Sequence, residues 1–262
     1  MSDASYQPPL PQEIEEDRHW WFASRTRALL AMLDRELDPQ KPIPVLDVGC
    51  GAGNMFHHLW RYGPVIGLDN NPKPLEVARA RGYKVWLGDA TAMPFEDNRF
   101  GLVALLDTVE HCDDDEAVLR ECHRVLRPGG LLVVTAPAFS WLWSHNDELN
   151  LHRRRYSPEE LRERVRAAGL RLRRLAFNNF FIFPLAAGLI LLRRGRREPQ
   201  LASPHLDDEA YQVEMEPASP WVNFLLAQVG GVEAKLLRWV DLPVGTSLIA
   251  IAEKPAGETS GD

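Results

Sequence analysis

Two short stretches of this chain gather side chains that can move protons. "LLDTVEHCDD", residues 105–114, places Asp107, Glu110 and His111 within five positions. An imidazole changes charge near neutral pH and suits a general base, and a neighbouring acid can orient it. "WLWSHNDELNLHRRRYS", residues 141–157, adds His145, Asp147, His152, Arg153, Arg154, Arg155 and Tyr156. Here His145 or His152 could serve as the base instead of His111. The three arginines suit a phosphate or carboxylate on a substrate. The plainer reading is a solvated or self-paired charge run. A His-Asp-His metal site would need closer spacing to be diagnostic.

A third stretch, "VLDVGCGAGN", residues 45–54, carries Gly49, Gly51 and Gly53 at alternate positions behind an acid, Asp47. Bare glycine lets a backbone pass close under a ligand. A phosphate-binding Walker loop ends in Gly-Lys-Ser/Thr, but Gly53 is followed by Asn54 and Met55. A dinucleotide turn wants its third glycine three places after the second, and Asn54 stands there. Asp47 is also a poor neighbour for a pyrophosphate, and suits a cationic amino group instead. Asp69 lies 20 residues after Gly49, the distance at which an acid accepts from ribose hydroxyls. Asp89, in "GDATAMPF", can accept from an adenine amino group while the Ala90 amide donates to the ring. Singly, each acid could merely serve a turn. Together they describe an adenosine carrying a charged amino acid and no phosphate.

Elements able to position these groups follow in order. Strand patterns fall at 43–49, 64–69, 83–89, 100–107, 131–137, 170–177 and 246–254. Helix patterns cover 13–36, the residues from about Ala52, those from about Pro72, the run after Asp113, Asp114 and Asp115, and 157–169. "RPGG", 127–130, is expected to end the fourth of these. Ser157 and Glu160 form a capping box, Pro158 takes the first turn, and Gly169 closes the end. "HWWF", 19–22, reads either as helix packing or as a lid over a ligand mouth. Alternating strands and helices give a parallel sheet covered on both faces, with ligands beyond the carboxyl ends of the strands.

"LDVGCGAGN", "GLDNNP", "GDATAMPF" and "LRPGGLLVVTAP" resemble, in order, the motifs of class I S-adenosylmethionine-dependent methyltransferases of the type 11 group. The resemblance covers roughly residues 43–178 and the last strand. It implies an α/β fold: a Rossmann-like seven-stranded sheet of order 3-2-1-4-5-7-6, strand 7 antiparallel, with helices on both faces. The implied cofactor is S-adenosyl-L-methionine. Asp47, Gly49, Cys50, Gly51 and Gly53 of the first motif are expected to hold it, with Asp69 and Asn70 of the second and Asp89 and Ala90 of the third. Asp107 completes the set. Catalytic candidates are Glu110, His111, His145 and His152, and no metal ligand is assigned. The acid-rich turn is similar to one in ubiquinone-pathway O-methyltransferases that can hold a divalent metal; the plainer reading has Glu110 and His111 framing the methionine end. The 141–157 loop resembles one in methyltransferases that accompany polysaccharide and lipid-linked sugar genes. Many members carry Phe-Asp where this chain has Phe100-Gly101, which reads as local packing.

The resemblance implies methyl transfer to a small-molecule or lipid-linked acceptor, oxygen first. The rivals are an NAD(P)-dependent oxidoreductase and a non-catalytic binding protein on the same fold. With 262 residues and 45% hydrophobic content, the chain can fill a large core, and a net charge of −7 argues against nucleic acid as main partner. Cys50, Cys112 and Cys122 lack disulfide or metal spacing, and the first residues do not read as a signal peptide, so a cytoplasmic protein is expected. Three regions are expected: an N-terminal helical lid at 1–37, a core at 38–178 plus 244–255, and an apolar helical insertion at 179–243. Within the insertion, "FFIFPLAAGLILL" (180–192) precedes "RRGRR" (193–197). That is shorter than the roughly 20 residues of a membrane span. It suits a buried helix, a pocket wall, or peripheral membrane contact through 180–197. Residues 198–220 read as an acidic connection, and 221–240 as a helix pair or one helix interrupted at Gly230-Gly231.

Overall fold

The computed structural model describes residues 7–193, 203–204, 213–214 and 219–256. Seven strands form the main sheet: β1 (Val45–Val48), β2 (Val65–Asp69), β3 (Val85–Leu87), β4 (Phe100–Leu106), β5 (Leu126–Pro137), β6 (Arg171–Asn178) and β7 (Ser247–Glu253). Their order is β3-β2-β1-β4-β5-β7-β6. β7 runs antiparallel to both β5 and β6, and the other pairings are parallel. The order and the reversed strand agree with the expectation. Ser203–Pro204 and Val213–Glu214 form a separate small pairing.

The helices are α1 (Trp20–Leu33), α2 (Phe56–Leu59), α3 (Pro72–Ala80), α4 (Asp115–Val125), α5 (His145–Leu149), α6 (Pro158–Ala167), α7 (Phe183–Arg193) and α8 (Pro220–Leu237). Two buried clusters lie on opposite faces of the sheet. Leu46, Val48 and Leu105 pack with Leu119 of α4 and Leu161 of α6. Val45, Leu102 and Ala104 pack with Leu29 and Met32 of α1, Leu75 of α3 and Leu237 of α8. Side chains alternate along a strand. Asp47 therefore shares the face of Val45 and looks toward α1.

Several boundaries differ from the sequence reading, each for a local reason. The 13–36 helix is broken at His19, between a 3-10 turn (Glu15–Arg18) and α1. Asn223 of α8 holds the break open, accepting from the Trp20 amide (2.8 Å) and donating to the Arg18 carbonyl (2.8 Å). The helix after the glycine turn starts at Phe56, not near Ala52, because Gly51 and Gly53 are left-handed (φ 52° and 77°). "RPGG" does not separate α4 from its strand: β5 already begins at Leu126. The register with β4 shifts between Phe100 and Leu102. At Gly101 a Cβ would stand 2.8 Å from Ile43 Cβ and 3.2 Å from Arg127 Cζ, which explains why no aspartate follows Phe100. The capping box of Ser157 and Glu160 is present. Residues 194–197 of the arginine run and most of 198–220 lie outside the described residues.

α8 runs unbroken through Gly230-Gly231. A Cβ at Gly230 would sit 1.9 Å from Ser24 Oγ, so the glycine permits α8 to press against α1. Gly231 faces open space, its nearest neighbour being Arg27 Nη1 at 3.8 Å. Gly230→Val should therefore destabilise the chain by about 1–3 kcal/mol through overpacking. Gly231→Ala should leave stability unchanged or raise it by up to about 1 kcal/mol through helix propensity. Urea denaturation checks both, and equal losses would mean that the α1–α8 contact is not tight.

Candidate active site

The glycine turn is held from two sides. Gly49 has φ 74°, and a Cβ there would lie 2.4 Å from Thr108 Cγ2. Its amide donates to the Leu68 carbonyl (2.8 Å). The Gly51 amide donates to Asp69 Oδ2 and the Asn71 amide to Asp69 Oδ1, both at 2.8 Å. Asp69 thus props the turn and starts α3. A carboxylate has about four acceptor positions, so room for a diol remains. Asn70 beside it is exposed. Cys50 points its sulfur inward, where a Cβ on Gly67 would be 2.4 Å away, and its backbone is tied into the turn, the amide donating to the Leu68 carbonyl (3.1 Å) and the carbonyl accepting from the Gly53 amide (2.8 Å). Asp89 is exposed, with Ala90 half-buried beside it. Hydrogen bonds from the Thr91 amide and hydroxyl (2.8 Å each) hold the Asp89 carboxyl below its usual range.

Deeper in, charge is crowded. Asp47 is buried, and desolvation followed by the charge of Asp69 pushes its pKa up to about 7 against the pull of Arg25. Arg25 of α1 pairs with Asp107 just beyond β4. Its guanidinium lies 5.0 Å from the Trp21 ring and 5.4 Å from the Phe22 ring. The aromatics of "HWWF" therefore help to hold a cation at the site. Thr135 Oγ1 donates to Asp107 Oδ1 (2.8 Å). Asp107 is thus committed to Arg25 and Thr135, and a metal ion there would displace the guanidinium. Sequence reasoning missed Arg25, because nothing local distinguishes it from the other arginines of the chain.

Glu110 is the least satisfied group. It is 1% exposed, and neither carboxylate oxygen has a hydrogen-bond partner among the described residues. Burial pushes its pKa up to about 8, opposed first by its own backbone amide and then by Arg25 and Arg155. A buried acceptor without a partner costs stability, so such a group calls for a ligand.

The structure brings His111 and His152 together with ring centroids 4.9 Å apart. One nitrogen of each and one oxygen of Glu110 lie within 4.8 Å of one another. His152 Nδ1 bonds Asp147 Oδ1 (2.9 Å), which leaves Nε2 for chemistry. Asp147 is fully buried and is gripped by Arg155 at 2.7 and 2.9 Å. Burial alone would raise its pKa, but the bonds from His152 and Arg155 hold it down at about 2. A fixed anion behind a histidine ring sets the ring's tautomer and orientation. His111 is pushed down to about 4 by packing against the protein, then by His152. It is neutral at pH 7 but a weaker base than its residue type suggests. His145 stands apart from this group and pairs with Glu148 (3.3 Å).

The arginine run is not free to grip a substrate. Arg153 bonds the His111 carbonyl and Asp113, Arg154 the Cys112 and Asp113 carbonyls and Asp115, and Arg155 holds Asp147 and the Ala138 carbonyl. These contacts tie the loop onto the turn after β4. Asp147 and His152 lie five positions apart in the 141–157 stretch, but residue order alone does not show that the two are bonded to each other.

A glycine turn and acids at or just beyond the carboxyl ends of β1, β2, β3 and β4 thus gather at one end of the sheet. Residues 46–134 match the family model described as a methyltransferase domain. A 37.1 kDa protein of transposon TN4556 from Streptomyces fradiae is 29% identical over 196 residues, covering 70% of this chain and 56% of that protein. A ubiquinone biosynthesis O-methyltransferase of Cereibacter sphaeroides is 33% identical over 118 residues, covering 41% of this chain and 48% of that enzyme. A SAM-dependent methyltransferase from Thermotoga maritima shares the fold, with TM-score 0.54 and 20% identity over 90% of this chain and 92% of that one. The chain spans about half the length of the curated relatives it matches. These matches support the reading of the chain as a class I S-adenosyl-L-methionine-dependent methyltransferase. S-adenosyl-L-methionine is the cofactor that this family and fold imply.

Glu110 makes stability depend on pH. Between the ordinary carboxylate range and about 8 the folded chain keeps a proton that the unfolded chain releases, so stability falls as pH rises through that window. Glu110→Gln should remove this contribution. Its stability relative to the unsubstituted chain should rise by about 1–3 kcal/mol from pH 5.5 to pH 8, leaving the smaller slope of Asp47. Ligand-free unfolding at the two pH values measures it, and parallel pH dependences would contradict the burial argument.

Proposed function

We propose that this protein transfers a methyl group from S-adenosyl-L-methionine to an oxygen of a small or lipid-linked acceptor. The observation that carries this reading is the histidine pair beside a buried, unpartnered carboxyl. When bound, the cofactor supplies a methyl group already activated on a sulfonium. The chain's own residues then have two tasks, holding the reactants in line and taking a proton.

In this reading Asp69 accepts from the ribose hydroxyls and Asp89 from the adenine amino group. The Gly49–Gly53 backbone, including that of Cys50, lies under the nucleoside, with Asn70 and Ala90 beside it. Asp47 faces the cofactor's ammonium, and Arg25, steered by Asp107, faces its carboxylate. His152, oriented by Asp147, removes the acceptor's hydroxyl proton at Nε2. Glu110 keeps its own proton at neutral pH and donates it in a hydrogen bond to the acceptor oxygen. His111 walls the site as a neutral ring.

An apolar acceptor is favoured by the surface of the 179–243 region. α7 exposes Leu185, Leu189 and Leu192, and α8 exposes Trp221, Phe224 and Leu225. Several large apolar side chains exposed on one helix suit a contact site. Among the described residues no helix is long and apolar enough to cross a membrane. In this reading the protein is cytoplasmic and touches the bilayer interface, from which a lipid-linked acceptor is drawn.

Calorimetry with S-adenosylhomocysteine should give binding, and NADH should give none; the reverse result would favour the oxidoreductase. His152→Ala should retain that binding and lose on the order of 100-fold or more in methyl transfer from labelled donor. Unchanged turnover would remove His152 as base, and no turnover with any hydroxylated lipid or small molecule would favour a binding protein. Leu185→Asp with Leu189→Asp should reduce co-sedimentation with anionic vesicles several-fold, since each charge opposes burial in the interface. Equal sedimentation would assign the apolar face another role.

A further inference from the structure

A second cluster, separate from the histidine pair above, joins the N-terminal segment to the helix that follows the glycine turn. Asp17 lies in the 3-10 turn before α1, and His57 and His58 are neighbours in α2. His57 Nε2 is 2.8 Å from Asp17 Oδ2, and His58 Nε2 is 2.6 Å from Asp17 Oδ1. The three side chains are largely withdrawn from solvent, His57 most of all. Successive helical residues normally diverge by about 100° around the axis. Here both rings fold to one side, their centroids 3.8 Å apart, onto a single carboxylate.

Two imidazoles and one carboxylate, each offering one ligand atom within 4.8 Å of the others, are the donor set of a zinc-class cation. We infer that Asp17, His57 and His58 form a binding site for a single Zn²⁺-type transition-metal ion, with water completing a tetrahedral shell.

Bonds of about 2.0–2.1 Å around such an ion set ligand atoms roughly 3.3 Å apart. The two nitrogen–oxygen separations, 2.8 and 2.6 Å, would widen by about 0.5–0.7 Å to reach that. On binding, the Nε2 proton of each ring shifts to Nδ1. In His57 that nitrogen is buried without a partner among the described residues. This cost holds the affinity below that of a closed structural zinc site, where ligand histidines have a hydrogen-bonded second nitrogen. The ion would pin Glu15–Arg18 across the cofactor turn. Glu16 already meets Asn54 there (2.5 Å), and α1 carries Arg25 onward to Asp107.

The test uses the tag-free, chelator-stripped full chain titrated with zinc chloride, read by calorimetry and by metal content after gel filtration. One zinc per chain is expected. Affinity should fall at least tenfold in Asp17→Asn and in His58→Gln, and be unchanged in His111→Gln. His58 is partly exposed, so its variant is the less exposed to folding failure, and circular dichroism checks each. Zinc lost in His111→Gln but kept in Asp17→Asn would place the ion at the Glu110 cluster and overturn the inference. So would zinc binding indifferent to all three variants, or none in the parent chain. S-adenosylhomocysteine titration of the same samples reports the cofactor site independently.

Discussion

The approach of Gly49 to Thr108 positions everything else at the site. No side chain fits between them, and the Thr108 hydroxyl donates back to the Val48 and Leu106 carbonyls. The ends of β1 and β4 are thereby locked side by side. Asp47 on one strand and Asp107 and Glu110 after the other come to share one mouth, with Asp69 closing it from β2. Had β1 ended in a residue with a Cβ, the turn after β4 would have to stand off, and its acids with it.

That convergence leaves a charge imbalance. Asp107, Glu16, Glu110 and Asp47 act on one guanidinium, Arg25, which is itself largely buried and shielded by Trp21 and Phe22. Burial is the main cause of the raised proton affinities of Asp47 and Glu110, with the charge of Asp69 adding to the first and that of Asp147 to the second. A ligand bearing a sulfonium and an ammonium relieves the imbalance, whereas a pyrophosphate would aggravate it. The same electrostatic reasoning separates the two histidines: His152 is backed by a buried anion, and His111 is backed by His152.

Much of this was legible in residue order. Strand periodicity, the three glycines and acids at successive strand ends are local signals, and the sheet order and strand reversal came with the family resemblance. What was hidden depends on distance along the chain. Arg25 meets Asp107 across 82 positions, and Asn223 breaks the first helix from 205 positions away. Whether Arg153, Arg154 and Arg155 grip a substrate or pair within the protein was open in the sequence, because the partners of Arg153 and Arg154 lie in the turn after β4, about 40 positions away. Gly230-Gly231 read as an interruption because residue type alone does not say whether a glycine breaks a helix or lets another helix approach. The start of β5 was placed too late because Pro128 and the glycines after it looked like punctuation, although β-bulges tolerate both.

The contact of Gly230 with Ser24 makes α8 a strut rather than an appendage. Asn223 fixes one end of α1, Gly230 meets it at Ser24, and the next residue, Arg25, pairs with Asp107. Whatever leans on the exposed outer side of α8 leans, through two rigid cylinders, on the cation that faces the acids. Crowding at the periphery and occupancy at the centre are mechanically one variable in this molecule.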